Sequence, residues 1–377
     1  MSSGEKASGM STAPDNAVGR VAAGAPATAT TDGRNGSAAS PAFVERDVSF
    51  DSGALRLAGT LTLPAGAEAP WPAALLLVGS GPVDRNENWK FLRVDATRQL
   101  AHALAAAGIA SLRYDKRGVG ASEGGDWRAA GFFDAVDDAA AACAFLGERP
   151  EVDPSRVAAI GHSEGALTAT ALAGRGEPLA AIVLLAGSAV PGTEVGRLQA
   201  ERIIPTLPAP IPKLVRLLRI DLDKRVAKSQ AKVNATTGDI ARVGLRRVNA
   251  RWTREFLAYD PAVDLARCRV PVLALTGGKD LQIDPDQLDA IRAALAGPVT
   301  ISRPAEVTHT LRRQPGKPSL LAYRKELRRP VDPDLLTEVV GWTADTLDAR
   351  LGKAADSRGA LGLSEAEARI GSAHRGR

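Results

Sequence analysis

At 377 residues, with 45% hydrophobic and 24% charged residues and a formal charge of +5, the chain has the composition of a soluble globular protein with ample length for a core. Its modest excess of basic residues forms no compact block interleaved with aromatics, which argues against nucleic acid as a partner. No apolar run approaches membrane-spanning length and no signal-peptide-like apolar core opens the chain, so the expected setting is the cytoplasm, with Cys143 and Cys268 as buried reduced thiols and not a disulfide framework.

Residues 1–42 are rich in Ala, Gly, Ser, Thr and Asn and poor in large apolar side chains, the composition of a disordered tail, within which Met10 is an alternative start. VERDVSF and LRLAGTLTLP alternate as an antiparallel strand pair does, and AALLLV (73–78) reads as a fully apolar strand. The loop after it is GSGPVDRNEN, where Gly79 and Gly81 allow backbone to approach a ligand closely. Asp84, Arg85 and Asn86 in that loop are candidates for substrate contact or plain solvated loop residues. A helix over RQLAHALAAAG (98–108) carries His102, expected to be exposed or simply packed. The strand ASLRYD (110–115) leads into RYDKRGVGAS, where Asp115 and Arg117 are expected to pair and fix the loop. The helix AVDDAAAACAFLGE (135–148) follows.

Residues 157–173, VAAIGHSEGALTATALA, join a short buried strand to a helix of small residues through the pentapeptide GHSEG. A turn that abrupt forces its central residue into strained backbone and demands glycine on either side, lifting the Ser163 hydroxyl clear at the tip of the sheet. His162, within the turn, is expected to point away from Ser163. AAIVLLAG (180–187) is the next strand. Residues 191–262 then interrupt the alternation without a convincing strand and read as a helical cap. Prolines at 205, 208, 210 and 212 stiffen its entry, and Leu214, Leu217 and Leu218 share a helical face, for packing or for an acyl pocket.

PVLALTGG (271–278) resumes the sheet and ends in TGGKD, which aims Asp280 along the carboxyl edge, with Asp284 and Asp286 as close competitors. After the strand VTIS (299–302), EVTHTL places His309 in a short loop. With His102 on a helix, His162 in the turn and His374 in the C-terminal tail, His309 is the base by position and elimination. Leu335–Leu351 reads as a last amphipathic helix, and 352–377 as a second tail. Alternating strands and helices argue for a mostly parallel sheet with helices on both faces, in a core of 43–190 and 263–351 split by the cap. Ser163, Asp280 and His309 occur in the nucleophile–acid–base order of α/β-hydrolases. An oxyanion hole needs backbone N–H donors, for which Glu164 and Ser80 are the candidates, with Gly81 second to Ser80.

The pieces GSGPVDRN, RYDKRGVGAS, GHSEGA, TGGKDLQI and VTHTL, in that order over roughly 43–350, resemble the α/β-hydrolase superfamily, in particular bacterial serine esterases of the serine aminopeptidase-like, dienelactone-hydrolase-related branch. The resemblance implies an eight-stranded sheet, a cap after the sixth strand, Ser163 as nucleophile, Asp280 as acid, His309 as base, and no metal or organic cofactor. The chain departs from many relatives in having Val78 before Gly79 and a long basic stretch, RRQPGKPSLLAYRKELRRP, after His309 that is expected to place charge near the mouth of the site. The leading expectation is hydrolysis of a small-molecule carboxylic ester through an acyl-enzyme. A small-substrate peptidase would need an acid such as Glu164 or Glu201 for the substrate amine. A thioesterase or acyltransferase would use basic cap residues Lys213, Arg216, Arg219, Lys224, Arg225, Lys228 and Lys232. A non-catalytic binding protein on the same fold would lack a triad member, and none is lacking.

Overall fold

The computed structural model describes residues 43–348, apart from 67, 91, 209, 211–212, 214–216, 219–220 and 244–245. Both expected tails, with Met10 and His374, lie outside the described residues, as do Leu214, Pro212, Arg216 and Arg219 of the insertion.

Eight strands form one sheet: β1 (Phe43–Ser52), β2 (Leu55–Pro64), β3 (Trp71–Leu77), β4 (Ala110–Tyr114), β5 (Val152–His162), β6 (Ala181–Leu185), β7 (Val272–Leu275) and β8 (Val299–Ser302). Their spatial order is β1-β2-β4-β3-β5-β6-β7-β8. β1 pairs antiparallel with β2 and β2 with β4, while every later pairing is parallel, as in Leu75 opposite Ala159 and Val183 opposite Leu273.

The apolar runs of the central strands are buried on both sides, and their period of two splits them between two cores. Ala73, Leu75 and Leu77 of β3, Ile182 and Leu184 of β6, and Val272 and Ala274 of β7 face one core. Helix α2 (Phe132–Gly147) closes that side with Phe132, Val136 and Ala139, α3 (Glu164–Arg175) with Ala166 and Ala169, and a later helix, Gln287–Ala294, with Leu288 and Ile291. Ala74, Leu76, Val183, Leu185, Leu273 and Leu275 face the other. There they meet Leu100 and Leu104 of α1 (Ala96–Ala106) and Leu335 and Val339 of the helix over 333–348. Small residues on α3 let that helix lie against the sheet centre, which holds its N-terminus at the carboxyl end of β5. Cys143 and Cys268 are buried free thiols, and burial raises both pKa values, Cys143 to about 11.

The insertion after β6 is not purely helical. It holds helices Gly192–Ile203, Leu222–Asn234 and Ala250–Ala258, but also an antiparallel ribbon of Ile240–Val243 with Arg246–Asn249. The ribbon was hidden by its arginines, which suit an exposed two-stranded edge as well as a helix face. The insertion is pinned to the core by Asn249, whose amide donates to the carbonyl of Ala130 (2.7 Å), and by Arg202, which donates to the carbonyl of Asp280 (3.1 Å). Leu217 and Leu218 are exposed. No described helix is long and apolar enough to cross a membrane.

Candidate active site

The loops that leave the carboxyl ends of β3, β5, β7 and β8 meet at one place, the edge where sheets of this kind bind ligands. β5 ends at His162 and α3 starts at Glu164, leaving Ser163 alone as the turn, at φ 55° and ψ −114°. Holding a non-glycine residue there costs on the order of 1–3 kcal/mol. The neighbours supply the constraint. A Cβ on Gly161 would lie 2.0 Å from the Gly165 carbonyl oxygen, and one on Gly165 would lie 2.2 Å from that of Leu77. Strand, turn and helix therefore approach more closely than any side chain permits, and Ser163 N–H is tied to the Leu185 carbonyl at 2.8 Å.

Ser163 Oγ stands 3.2 Å from His309 Nε2, and His309 Nδ1 stands 2.8 Å from Asp280 Oδ2. The remaining oxygen of Asp280 accepts from the backbone N–H groups of Gln282 (2.7 Å) and Ile283 (2.9 Å), so the fully buried carboxylate has partners at both ends. Its competitors are engaged elsewhere, Asp284 with Arg202 and Asp286 with Arg303. Gly277 and Gly278 earn their place by clearance, not by a positive φ: a Cβ on Gly277 would lie 2.1 Å from the Val307 carbonyl oxygen. The loops that carry Asp280 and His309 thus run in contact.

Ser80, Gly81 and Glu164 line a cavity of ≈ 420 Å³ closed by Tyr114, Val119 and Trp127 of the core and by Val248, Asn249 and Trp252 of the insertion. Asp84, Arg85 and Asn86, candidates for substrate contact or for solvated loop positions, do not line this cavity. Arg85 is committed to Asp115 through two side-chain contacts (3.1 and 2.8 Å), Asn86 accepts from Arg113, and Asp84 accepts from the N–H groups of Asn86 and Asn88. The expected Asp115–Arg117 pair does not form either. Arg117 instead binds Asp138 at 2.6 Å on α2, while Asp115 binds Arg85 at 2.8 Å. None of the basic stretch after His309 lines this cavity. Arg312 is buried, donating to the carbonyls of Val94, Thr310 and Arg329, while Arg313 pairs with Asp332 and Asp334. The stretch supports the His309 loop from behind, where Glu326 accepts from Thr308 (2.8 Å) and Thr310 (3.0 Å).

Three residues outside the sequence-based candidates complete the site. Lys116 donates to the Gly79 carbonyl (2.7 Å) and to Glu164 Oε1 (2.9 Å). Glu87 Oε1 contacts His162 Nδ1 at 2.6 Å and accepts from Gly79 N–H at 2.9 Å, while His162 Nε2 lies 2.9 Å from the His309 carbonyl oxygen. No spacing rule links Glu87 to a histidine so far along the chain. The only sequence signal was a carboxylate in a glycine-bearing loop, and a histidine that the turn itself did not require.

Burial alone would raise the Glu87 carboxyl, but the charge and hydrogen bond of His162 outweigh it and hold the group below its ordinary 4.5. Burial likewise opposes a charged His162, and Glu87 outweighs it, raising the imidazole above 6.5. Stability from the lowered carboxyl is complete above pH 4.5 and lost as pH falls through its folded value. Stability from the raised imidazole is complete below pH 6.5 and lost as pH rises through its folded value. The Tm difference between the parent protein and Glu87→Gln, measured across pH, is therefore expected to peak between 4.5 and 6.5 and to shrink on both sides. A difference that kept growing above neutral pH would contradict a charged pair.

The family profile described as serine aminopeptidase, S33, matches residues 93–313. Esterase EstD of Thermotoga maritima is 26% identical over 303 residues, covering 80% of this chain and 67% of its own length. Among solved structures, Est1E of Butyrivibrio proteoclasticus with ferulic acid bound is similar at a TM-score of 0.54 and 15% identity, over 81% of this chain and 99% of its own. GrgF, an α/β hydrolase from Penicillium sp. sh18, is similar at 0.53 and 16%, over 82% and 99%. At these identities the structural likeness is one of fold.

Proposed function

The chain belongs to the serine aminopeptidase (S33) family of hydrolases, and from that premise we propose that it cleaves carboxylic esters through an acyl-enzyme formed on Ser163. The observation that carries this reading is the continuous relay from Ser163 Oγ through His309 to Asp280, at 3.2 and 2.8 Å. A serine hydroxyl needs such a base to become a nucleophile.

Ser163 Oγ attacks the ester carbonyl as His309 Nε2 takes its proton, and Asp280 stabilises the imidazolium that results. The oxyanion is held by the backbone N–H groups of Glu164 and Ser80. The Gly79 N–H is already spent on Glu87, so Ser80 is the first free amide along the loop, in keeping with its preference over Gly81. Each such donor is worth about 2.7–4 kcal/mol in the transition state. His309 then protonates the departing alcohol, and water repeats the sequence to release the acid. The cavity beside Ser80 and Glu164, with its two tryptophans, receives the acyl group.

An ester is favoured over an aminoacyl amide because the acids named for binding a substrate amine are already paired, as is Asp138, the other carboxylate lining the cavity, with Arg117. Glu164 is tied to Lys116, and Glu201 to Arg197 on the exposed side of its helix. The thioester alternative draws no support from Lys213, Lys224, Lys228 and Lys232, which are exposed and do not line the cavity. Assayed on p-nitrophenyl esters of graded acyl size and on aminoacyl p-nitroanilides, the protein is expected to turn over the esters and to leave the anilides at the rate of Ser163→Ala. Anilide turnover equal to that of the best ester would transfer the reading to a peptidase.

A further inference from the structure

Glu87 and His162 take no proton in the steps above, yet three reacting segments meet on them. Gly79 precedes the Ser80 amide, His162 precedes Ser163, and His309 is the base. We propose that Glu87 and His162 are a positioning pair that fixes the oxyanion loop and the base loop to the nucleophile turn.

The hydrogen-bond chemistry defines what the pair does. The carbonyl oxygen of His309 can only accept, so His162 Nε2 must carry a proton to bond it at 2.9 Å. An ionised Glu87 carboxylate can only accept too, so His162 Nδ1 must carry a second proton to bond it at 2.6 Å. Beside an ionised Glu87 the ring therefore serves both partners only as an imidazolium. The same Glu87 oxygen that keeps the ring charged also holds Gly79 N–H at 2.9 Å, so one atom anchors the oxyanion loop and the ring together.

The surroundings leave no slack. Glu87 and His162 are 4% and 5% exposed. A Cβ on Gly79 would stand 2.7 Å from Glu87 Oε1, 3.6 Å from Ser163 Cβ and 3.7 Å from His162 Nδ1. The His162 and His309 rings lie 4.9 Å apart between centroids, in contact but through no ring-to-ring hydrogen bond. His162 thus reaches the base through its backbone and leaves both imidazole nitrogens of His309 to Asp280 and Ser163. Neither Glu87 nor His162 lines the acyl cavity. Loss of the pair should accordingly disturb alignment for reaction and spare ground-state binding.

This inference rests on the ester-hydrolase reading, and the experiment separates the two. Glu87→Gln keeps the side chain's size but removes the charge, and His162→Ala removes both bonds. Active sites are counted with a fluorophosphonate, so that kcat refers only to reactive molecules. Both variants are expected to lose about 10- to 100-fold in kcat per titrated site, the scale of an ångström-sized misplacement, with KM nearly unchanged. Added imidazole, which can bridge the same two partners, is expected to restore part of the His162→Ala rate. Tm falls in either case, and a merely structural role would lower the titratable fraction while leaving kcat per site intact. That outcome, or a change confined to KM, would overturn the proposal. Should His162→Ala not fold, the isosteric Glu87→Gln decides. A parent enzyme with no ester turnover and no adduct would instead mark failure of the ester-hydrolase reading.

Discussion

Ser163→Ala is expected to lower kcat on the best ester by about 10⁶-fold while leaving the circular-dichroism spectrum and quaternary behaviour of the parent. The size of the loss follows from the chemistry: without Oγ there is no acyl-enzyme, and only oxyanion binding and substrate placement remain. His309→Ala is expected to cost about as much, and the double variant little more, because the two residues act as one unit. The alanine side chain fits the turn, since the constraint on this backbone comes from the clearance at Gly161 and Gly165 and not from the hydroxyl. Residual activity within tenfold of the parent would place the nucleophile elsewhere.

Asp280→Asn is expected to cost about 10⁴-fold in kcat with the fold intact, by way of a tautomer rather than a displaced side chain. The asparagine oxygen can still accept from the N–H groups of Gln282 and Ile283, which fixes its amide group toward His309 Nδ1. An amide donor there demands an unprotonated Nδ1, so the ring proton moves to Nε2 and faces Ser163, where no proton can then be accepted. Asp286→Asn, on a residue paired with exposed Arg303, is expected to leave the rate within about threefold, as surface substitutions away from buried networks do. Steady-state kinetics of the two variants side by side checks both expectations. Equal losses would mean that the acid is not Asp280.

The backbone of the site was readable in the sequence because its demands are local. Gly161 and Gly165 must be glycine on either side of a strand-to-helix turn, and apolar runs such as AALLLV and AIVLL mark strands buried on both faces. His309 emerged because the chain has only four histidines. Side-chain partnerships were much less legible. Asp115 sits two residues from Arg117 and yet binds Arg85, because the partner of a buried charge is set by which loops the sheet order brings together. For the same reason Glu87 and His162, far apart in the chain, gave no joint signal, although β3 and β5 are adjacent strands and their loops had to meet. The ribbon at 240–249 escaped because its alternation, IARV and RRVN, is short and rich in arginine, and arginine serves a solvated helix equally well. The basic stretch after His309 shows the same limit: Arg312, charged and surface-like by type, is buried on backbone carbonyls that no sequence pattern announces.

The most direct measurement is mass-spectrometric mapping of the adduct formed when the folded protein is treated with a fluorophosphonate, in the parent and in His309→Ala. A single adduct on Ser163 in the parent, lost in His309→Ala, is the expected result, because the probe reports a serine activated by its base and requires no choice of substrate. An adduct on another residue, an undiminished adduct in His309→Ala, or none in a demonstrably folded parent would contradict a reactive Ser163–His309–Asp280 centre.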